Sequence, residues 1–188
     1  MNRPDPSILK SLETYKPYND EEAVYVDQLR NFLHHGDNHY DRNNLVAHVV
    51  ADAWILNASR DKVVLVEHGV NKCWMAPGGH CDGDSDAYSG ALREAEEETG
   101  LVNLRPLSGN IFDVCVGIVA PCQKPLKFEP THLHFDLCYI FEADEEKPLR
   151  ISDESTQLEW IDINKIAEMN YMTCHLRRVE KTLNVTWI

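Results

Sequence analysis

Apolar and polar residues along the chain follow two spacings, one typical of strands and one typical of helices. Runs rich in β-branched residues, or strictly alternating, predict strands, and apolar residues every three or four positions predict amphipathic helices. Strands are expected over residues 45–56, 62–67, 104–107, 112–119 and 131–141, and helices over residues 20–35, 163–169 and 174–183. Prolines 4, 6 and 17 predict an irregular start, apart from a helical turn at residues 8–14.

An acidic helix follows a glycine-rich turn near the middle of the chain. Residues 79–101 read GHCDGDSDAYSGALREAEEETGL, with four glutamates between positions 94 and 98. Glu94, Glu97 and Glu98 share one helix face, where their like charges repel. A divalent cation with hard oxygen ligands, such as Mg²⁺, would relieve that repulsion. The alternative is an ordinary solvated acidic face.

The flanks of this helix favour the cation site. The strand at residues 62–67 is followed by Pro77 and two glycines, which force a turn and let the backbone approach a ligand closely. Asp84, Ser85 or Asp86 can cap the helix, and Gly100 can end it in the left-handed conformation. Alanines and a leucine supply an apolar face opposite the glutamates.

This segment resembles the Nudix box, the signature of a large hydrolase family. The box runs Gly, five residues, Glu, seven residues, then Arg-Glu-apolar-any-Glu-Glu-any-Gly-apolar. Where the family has its first Glu, this chain has Ser85. The positions that match at the right spacing are Gly79, Arg93, Glu94, Ala95, Glu97, Glu98, Gly100 and Leu101.

The resemblance implies a fold, an activity and a set of site residues. Nudix domains are αβα sandwiches with a mixed sheet, and they use Mg²⁺ or Mn²⁺ to hydrolyse a nucleoside diphosphate linked to another moiety. Glu97 and Glu98 match the principal metal ligands, and Glu94 matches a glutamate that binds metal or helps to activate water. The carbonyl of Gly79 matches a backbone ligand, and Arg93 matches the arginine that holds the glutamates in place.

Ser85 can neither support the metal shell nor pair with the arginine as strongly as a glutamate. Three outcomes are open: a neighbouring carboxylate (Asp82, Asp84 or Asp86) substitutes for it, the site functions without that group, or hydrolysis has been lost. Because the ligand glutamates remain, we expect activity to be retained.

Most family members use a further acid after the box as general base or extra ligand. The candidates are Glu129, Asp136, Glu142, Asp153 and Glu154. The run from residue 152 to residue 161 resembles the late Nudix segment in which an acidic loop precedes a strand containing Trp. We therefore expect Glu154 to be this further catalytic carboxylate, as general base or extra ligand, with an ordinary solvated loop residue as the alternative.

Histidines accompany an acid on one predicted strand. In residues 131–141 the alternation places His132, His134 and Asp136 on one face. Two histidines and an acid could bind a transition metal, but a His-x-His pair alone is a modest signal. We expect His132 and His134 to bind substrate together with His80, with His48 facing the same cleft.

Composition is consistent with a cytoplasmic enzyme. The 188 residues predict an N-terminal helical extension (residues 1–42) packed on a Nudix domain (residues 43–188). No apolar run suggests a membrane span or an export signal, so the six cysteines are expected to be thiols. A net charge of −13 argues against a nucleic-acid polymer as partner, but not against a small nucleotide-type substrate held through a metal. A homodimer is left open.

Three functions are compatible with this sequence. The first is a Mg²⁺-dependent pyrophosphohydrolase that cleaves phosphoric anhydride bonds, with Mn²⁺ as the alternative metal. The second is a non-catalytic Nudix-like domain that binds a phosphorylated metabolite as a sensor or regulator, for which Ser85 is the one supporting residue. The third is a generic acidic metal-binding protein, which does not explain the spacing of turn and helix.

Overall fold

Strands and helices form three layers in this protein. The computed structural model describes residues 6–35, 38–69, 72–84, 86–124, 127–152, 155–169, 171 and 174–184. The α-helices are α1 (Pro6–Thr14), α2 (Asp20–His35), α3 (Ala87–Thr99) and α4 (Cys174–Asn184), with a 3₁₀ helix at Ile163–Glu168. The strands are β1 (Ala47–Leu56), β2 (Lys62–His68), β3 (Trp74–Met75), β4 (Gly78–His80), β5 (Arg105–Pro106), β6 (Asp113–Val119), β7 (Cys122–Lys124), β8 (Lys127–Glu129), β9 (His132–Glu142) and β10 (Ser155–Asp162).

A mixed sheet is built around two long neighbouring strands. Strands β1 and β9 pair in parallel along their whole overlap, from Ala47 opposite Leu133 to Leu56 opposite Glu142. The order across the sheet is β10-β2-β1-β9-β5, with β3 beside β2, β4 beside β1 and β6 beside β9. All pairs other than β1 with β9 are antiparallel. Strands β7 and β8 form a separate hairpin.

Alternation along β1 divides its side chains between two buried clusters. Val49, Ala51, Ala53 and Ile55 belong to the cluster that contains the apolar residues of α2 and α3. Trp54 and Leu56, of the opposite parity, belong to the other cluster, to which α4 contributes. Because helices cover both faces of a mixed sheet, the predicted αβα sandwich is confirmed.

Helix α2 packs its apolar stripe into the first cluster. Val26, Leu29 and Leu33 are fully buried, at the three- and four-residue spacing that the sequence pattern predicts. The helix contacts β6, at one side of the sheet. The division of the chain into an extension (1–42) and a domain (43–188) stays a prediction.

Buried charges, rather than an apolar stripe alone, hold α4 against the sheet. Asp113 at the start of β6 is fully buried and accepts two hydrogen bonds of 2.8 Å from Arg177. Arg178 and Lys181 also pair with Asp113, at 3.4 and 2.8 Å. Burial alone would raise the pKa of Asp113, but these hydrogen bonds and positive charges outweigh burial and leave that pKa below its usual value.

Glu22 joins α2 to the same group of charges. Its carboxylate is buried, pairs with Lys181 and accepts the backbone N–H of Val114 at 3.0 Å. We call Glu22, Asp113, Arg177, Arg178 and Lys181 the buried charge network. It ties α2, β6 and α4 together, and each of its charges has a partner of opposite sign.

The local predictions hold, with differences at short elements. Residues 163–169 form a 3₁₀ helix at Ile163–Glu168, a common form for a piece this short. The helical turn predicted at residues 8–14 is a nine-residue helix from Pro6, since proline is tolerated in the first turn. The strand predicted over residues 104–107 shrinks to Arg105–Pro106, where proline cannot extend the hydrogen-bond ladder.

Two further features concern the chain as a whole. None of the described helices is long and apolar enough to cross a membrane. All six cysteines are free thiols.

Removing one member of the buried charge network should be strongly destabilising. Asp113→Asn leaves buried cations without their central carboxylate, so we expect the free energy of unfolding to fall by about 3–5 kcal/mol, measured by urea denaturation. The matched control is Glu21→Gln. Glu21 also pairs with Arg177, but its side chain is 60% exposed, so a loss below about 1 kcal/mol is expected.

The effect of Asp113→Asn on the free energy of unfolding should depend on pH. The pKa of Asp113 is lower in the folded chain than in the unfolded chain. Its charge therefore contributes stability above the unfolded pKa of about 3.9, and that contribution is lost as the pH falls through the folded pKa. The difference between wild type and Asp113→Asn should shrink with acidification. A difference that stays constant down to the acid transition, or equal losses for Asp113→Asn and Glu21→Gln, would contradict this account.

Candidate active site

The turn before α3 brings backbone and carboxylates unusually close. Strand β4 pairs with β1 so that Gly78 lies opposite Asp52. A Cβ atom on Gly78 would lie 2.4 Å from the Cβ of Asp52, and one on Gly79 would lie 2.6 Å from the carboxyl carbon of Glu94. Gly78 therefore needs to be glycine, because a side chain there would meet the backbone of Ala51 and Asp52. At Gly79 the Glu94 carboxylate packs directly against the backbone, and a side chain would displace that carboxylate.

Helix α3 is fixed at both ends as its sequence predicts. The side chain of Asp86 caps the N-terminus by accepting the backbone N–H of Ser89 at 2.8 Å. Gly100 ends the helix in the left-handed conformation, with φ of 69°, and its N–H donates to the carbonyl of Glu96. The helix therefore presents its glutamates at a defined position beside the turn.

The three predicted ligand glutamates line one cavity. Glu98 accepts the backbone N–H of Gly78 at 2.9 Å, while Glu94 lies against Gly79. Glu97 is the outermost, with 62% of its side chain exposed. The cavity, of about 390 Å³, is lined by Arg42, Gly78, Gly79, His80, Glu94, Glu97, Glu98 and Ser152. We call it the carboxylate cavity.

Arg93 connects the members of this cluster. One of its terminal nitrogens donates to Glu94 at 3.0 Å and to Glu97 at 2.9 Å. The other donates at 2.9 Å to the carbonyl of His80 and to a carboxylate oxygen of Asp84. The hydrogen bond with Asp84 is the largest cause of the raised pKa of Arg93. Burial lowers this pKa, and the hydrogen bond and the charge of Glu94 raise it further. The guanidinium is therefore a fixed positive charge among the carboxylates.

Asp84 forms an ion pair with Arg93, the role that a glutamate in place of Ser85 would be expected to fill. Both of its oxygens accept from Arg93, at 2.9 and 3.2 Å, in a forked arrangement. Its neighbours are used elsewhere, since Asp86 caps α3 and Asp82 pairs with Arg42. Ser85 itself lies outside the described residues. Of the three candidate substitutes, Asp84 is thus the one in contact with the arginine.

A second cavity adjoins the first and reaches into the sheet. It has a volume of about 230 Å³ and shares Gly78, Gly79, His80 and Glu98 with the carboxylate cavity. Apolar side chains, among them Val50, Val66 and Met75, form part of its lining, together with Asp52, His134 and Asp136. We call it the sheet cavity. Its position beside Glu98 would suit the non-phosphate part of a substrate.

Two aspartates of the sheet cavity share one arginine. Arg178 donates to Asp52 at 2.6 Å and to Asp136 at 3.3 Å, and one oxygen of each carboxylate has no hydrogen-bond partner among the described residues. Burial and the nearby Asp52 raise the pKa of Asp136 well above its usual value. Sequence reasoning missed Asp52 and Arg178. The available signal was an acid inside an otherwise apolar strand, which implies a buried partner.

Four histidines gather beside these cavities. His48 and His134 are directly paired on β1 and β9, with ring centroids 4.5 Å apart, and His80 lies 5.0 Å from His48. His132 lies 5.1 Å from both His48 and His134. Burial, followed by the neighbouring histidines, lowers the pKa of His134 to about 3, and burial lowers the pKa of His48. His80 and His134 line the sheet cavity, so the structure brings them to the candidate site, while their predicted contact with substrate stays a prediction.

The predicted late acid cannot be placed. Glu154, like Asp153, lies outside the described residues. Of the other candidates, Glu142 pairs with Arg60 and Arg105, and Glu129 lies on the β7–β8 hairpin. Among the described residues, Asp136 is the only one of these candidates that lines the sheet cavity.

Comparison with known proteins decides the family. The model of the NUDIX domain matches residues 46–179, more than half of the 188-residue chain. The chain belongs to the Nudix family. Its predicted membership, and its predicted class as a Nudix hydrolase, are confirmed.

Relatives cover most of this Nudix chain at low identity. A probable DHNTP pyrophosphohydrolase of Lactococcus lactis is 28% identical over 147 residues, which are 78% of this chain and 82% of that protein. The dihydroneopterin triphosphate pyrophosphohydrolase of E. coli superposes with a TM-score of 0.53 at 15% identity, over 73% of this chain and 96% of that one. The NUDIX domain of Shewanella oneidensis NrtR, complexed with ADP-ribose, gives 0.52 at 17% identity, over 82% and 96%. These two superpositions support the fold.

Asp84 should matter for activity in this Nudix chain, although it lies outside the box pattern. Asp84→Asn removes the charge that fixes Arg93, so we expect hydrolysis with Mg²⁺ to fall by about 10- to 100-fold, with weaker apparent Mg²⁺ affinity. Steady-state rates across a Mg²⁺ titration measure both effects.

The matched control is Asp86→Asn, two residues away. Asp86 caps α3, and asparagine is an equally good N-cap, so this variant should lose less than about 1 kcal/mol of stability, from the lost charge at the helix N-terminus, and keep the wild-type rate. Equal rates for wild type and Asp84→Asn, or the same loss of rate in both variants, would show that the pairing of Asp84 with Arg93 has no particular role.

Proposed function

We propose that this chain is a Mg²⁺-dependent pyrophosphohydrolase that cleaves the diphosphate linkage of a small nucleotide-type substrate, with Mn²⁺ able to replace Mg²⁺. The observation that carries the proposal is the carboxylate cavity. Glu94, Glu97 and Glu98 line it together with Gly79, and Arg93 is fixed among them. We further expect a cytoplasmic enzyme that acts on small molecules rather than on nucleic-acid polymers.

The donors in this cavity fit a hard divalent cation. Carboxylate oxygens, with the carbonyl of Gly79, are the ligand type that Mg²⁺ prefers, and Glu97 and Glu98 would be the principal ligands. When bound, the metal would neutralise phosphate charge and lower the pKa of a water that attacks phosphorus. Glu98 has one oxygen held by the N–H of Gly78, which fixes the direction of the carboxylate.

The protein's own groups would keep the carboxylates in place between turnovers. Arg93 pairs with Glu94 and Glu97, and Asp84 holds Arg93 from the opposite side. This arrangement lets like charges lie close together without a bound cation. Glu154 keeps its predicted role as the late catalytic carboxylate, with Asp136 as the alternative that lines the sheet cavity.

The substrate would lie across both cavities. Its diphosphate would occupy the carboxylate cavity, and its remaining part would enter the sheet cavity, where Val66 and Met75 offer apolar contacts and Asp52 and Asp136 are available for hydrogen bonds. Dihydroneopterin triphosphate is the first candidate, because the curated relative from Lactococcus lactis is a probable DHNTP pyrophosphohydrolase. ADP-ribose is the second, because the NrtR domain binds it.

The competing proposal, a domain that binds a phosphorylated metabolite without hydrolysing it, depends on Ser85. The contact of Asp84 with Arg93 weakens that proposal, since a carboxylate reaches the arginine in spite of the serine. Hydrolysis is therefore the function that we favour.

A substrate panel tests the activity. The chain with Mg²⁺ is incubated with dihydroneopterin triphosphate, ADP-ribose, oxidised nucleotides, dinucleoside polyphosphates, nucleotide sugars and dinucleotide cofactors, and the products are separated by ion-exchange chromatography. We expect cleavage between two phosphates of at least one substrate. Binding of a compound with metal and no cleavage of any of them would refute the enzyme and favour the sensor.

Glu98 tests the ligand assignment. Glu98→Gln keeps the size of the side chain and removes its charge, so Mg²⁺-dependent turnover should be abolished while circular dichroism stays unchanged. The control is Glu96→Gln, a substitution on the same helix that does not touch the carboxylate cavity, and it should keep wild-type turnover. Normal turnover in Glu98→Gln would refute the assignment.

A further inference from the structure

Three imidazoles from three strands converge next to the carboxylate cavity, and the proposed hydrolysis assigns no chemical step to them. His48 on β1 lies between β9, which carries His134, and β4, which carries His80. One ring nitrogen of each lies within 4.8 Å of those of the other two. His48 is buried, and the other two are partly buried. We call these residues the histidine cluster.

The orientation of His48 shows which of its nitrogens is free to bind. Its Nδ1 lies 3.2 Å from the carbonyl oxygen of Asn44, which can only accept, so Nδ1 carries the proton and Nε2 carries a lone pair. That Nε2 atom is buried and has no hydrogen-bond partner within the part of the chain that the structure describes. The Nε2 atom of His134 is also buried and unpartnered there.

Buried polar atoms without a partner are costly, and two such nitrogens, Nε2 of His48 and Nε2 of His134, lie in this one cluster. A cation that accepts electron pairs would satisfy both. Metal-binding histidines usually donate the N–H of the ring nitrogen that does not bind the metal to a carbonyl or carboxylate, and the hydrogen bond from Nδ1 of His48 to Asn44 is of this kind. Such a contact fixes the tautomer and ring orientation before any ion binds.

We propose that His48, His80 and His134 form a binding site for a divalent transition metal of the Zn²⁺ class, separate from the Mg²⁺ site. Three imidazoles and one open position are a recognised coordination set for Zn²⁺, and nitrogen donors select such an ion over Mg²⁺. The open position faces the sheet cavity, because His80 and His134 both line it together with Glu98.

An anion is the other ligand that histidines can bind, and the geometry disfavours it here. Phosphate needs hydrogen-bond donors, whereas the His48 proton is already used by Asn44. His132 is used in the same way, since its Nδ1 lies 2.9 Å from the carbonyl of Pro130. The lone pair that remains on His48 would repel an anion and attract a metal.

Co²⁺ spectroscopy tests the site, with Zn²⁺ as competitor. The chain is prepared without a histidine tag and stripped with a chelator. The Glu97→Gln/Glu98→Gln variant removes the two principal carboxylate ligands and so weakens the competing site in the carboxylate cavity. We expect this variant to bind one Co²⁺ with the strong visible absorption of a four-coordinate complex. One equivalent of Zn²⁺ should abolish that absorption, and millimolar Mg²⁺ should leave it unchanged.

Histidine variants in the same background locate the ion. His48→Ala/His134→Ala should weaken Co²⁺ binding by at least about 100-fold. Loss of a residue that only hydrogen-bonds to a metal ligand costs about 10- to 100-fold in affinity, and loss of the ligands themselves should cost no less. His35→Ala, which removes an exposed histidine at the end of α2, should bind as before. Circular dichroism checks folding. If the double variant does not fold, His80→Ala replaces it, because His80 is only partly buried.

Imidazole nitrogen NMR of the unsubstituted chain gives a reading that depends on no variant. Zn²⁺ should shift the Nε2 resonance of His48 and a ring-nitrogen resonance of His134, whereas inorganic phosphate should leave both in place. The proposal is overturned if Co²⁺ gives no such absorption, if the histidine variants bind like the control, or if phosphate and not Zn²⁺ shifts these resonances. None of these results bears on hydrolysis with Mg²⁺, which the substrate panel tests separately.

Discussion

Repulsion among carboxylates is the constraint around which this site is built. Three box glutamates line one cavity, and two aspartates lie in the adjoining one. Two arginines balance these charges. Arg93 pairs with Glu94, Glu97 and Asp84, while Arg178 pairs with the two aspartates from inside the protein. Without these guanidinium groups the carboxylates would spread apart or take up protons, and a cation would meet a less ordered set of ligands.

Arg178 links this local balance to the whole fold. It belongs to α4, which the buried charge network holds against β6 and α2. Helix α4, near the C-terminus, therefore supplies the positively charged side chain, Arg178, that pairs with the two aspartates of the sheet cavity. Buried ion pairs add little net stability compared with apolar packing, but they penalise any arrangement that separates the partners. In this chain the network fixes the position of α4, and through Arg178 that of Asp52 and Asp136.

Local features of the site could be predicted from sequence because they depend on residues close along the chain. The turn at Gly79, the cap of α3 and the shared face of Glu94 and Glu98 all follow from spacing. The pairing of Asp52 with Arg178 spans 126 positions, and that of His48 with His134 depends on the register between two parallel strands, which periodicity does not contain. Asp84 was one of three candidate substitutes for the missing box glutamate, and the path of the turn decided among them.

We expect the carboxylate cavity to bind the catalytic divalent metal. Anomalous diffraction from crystals soaked in Mn²⁺ tests it most directly, because the signal locates the ion whatever the substrate is. We expect a peak within coordination distance, about 2.0–2.3 Å, of carboxylate oxygens of Glu97 and Glu98. A crystal with no peak in that cavity, or with manganese only at the histidine cluster, would contradict the account.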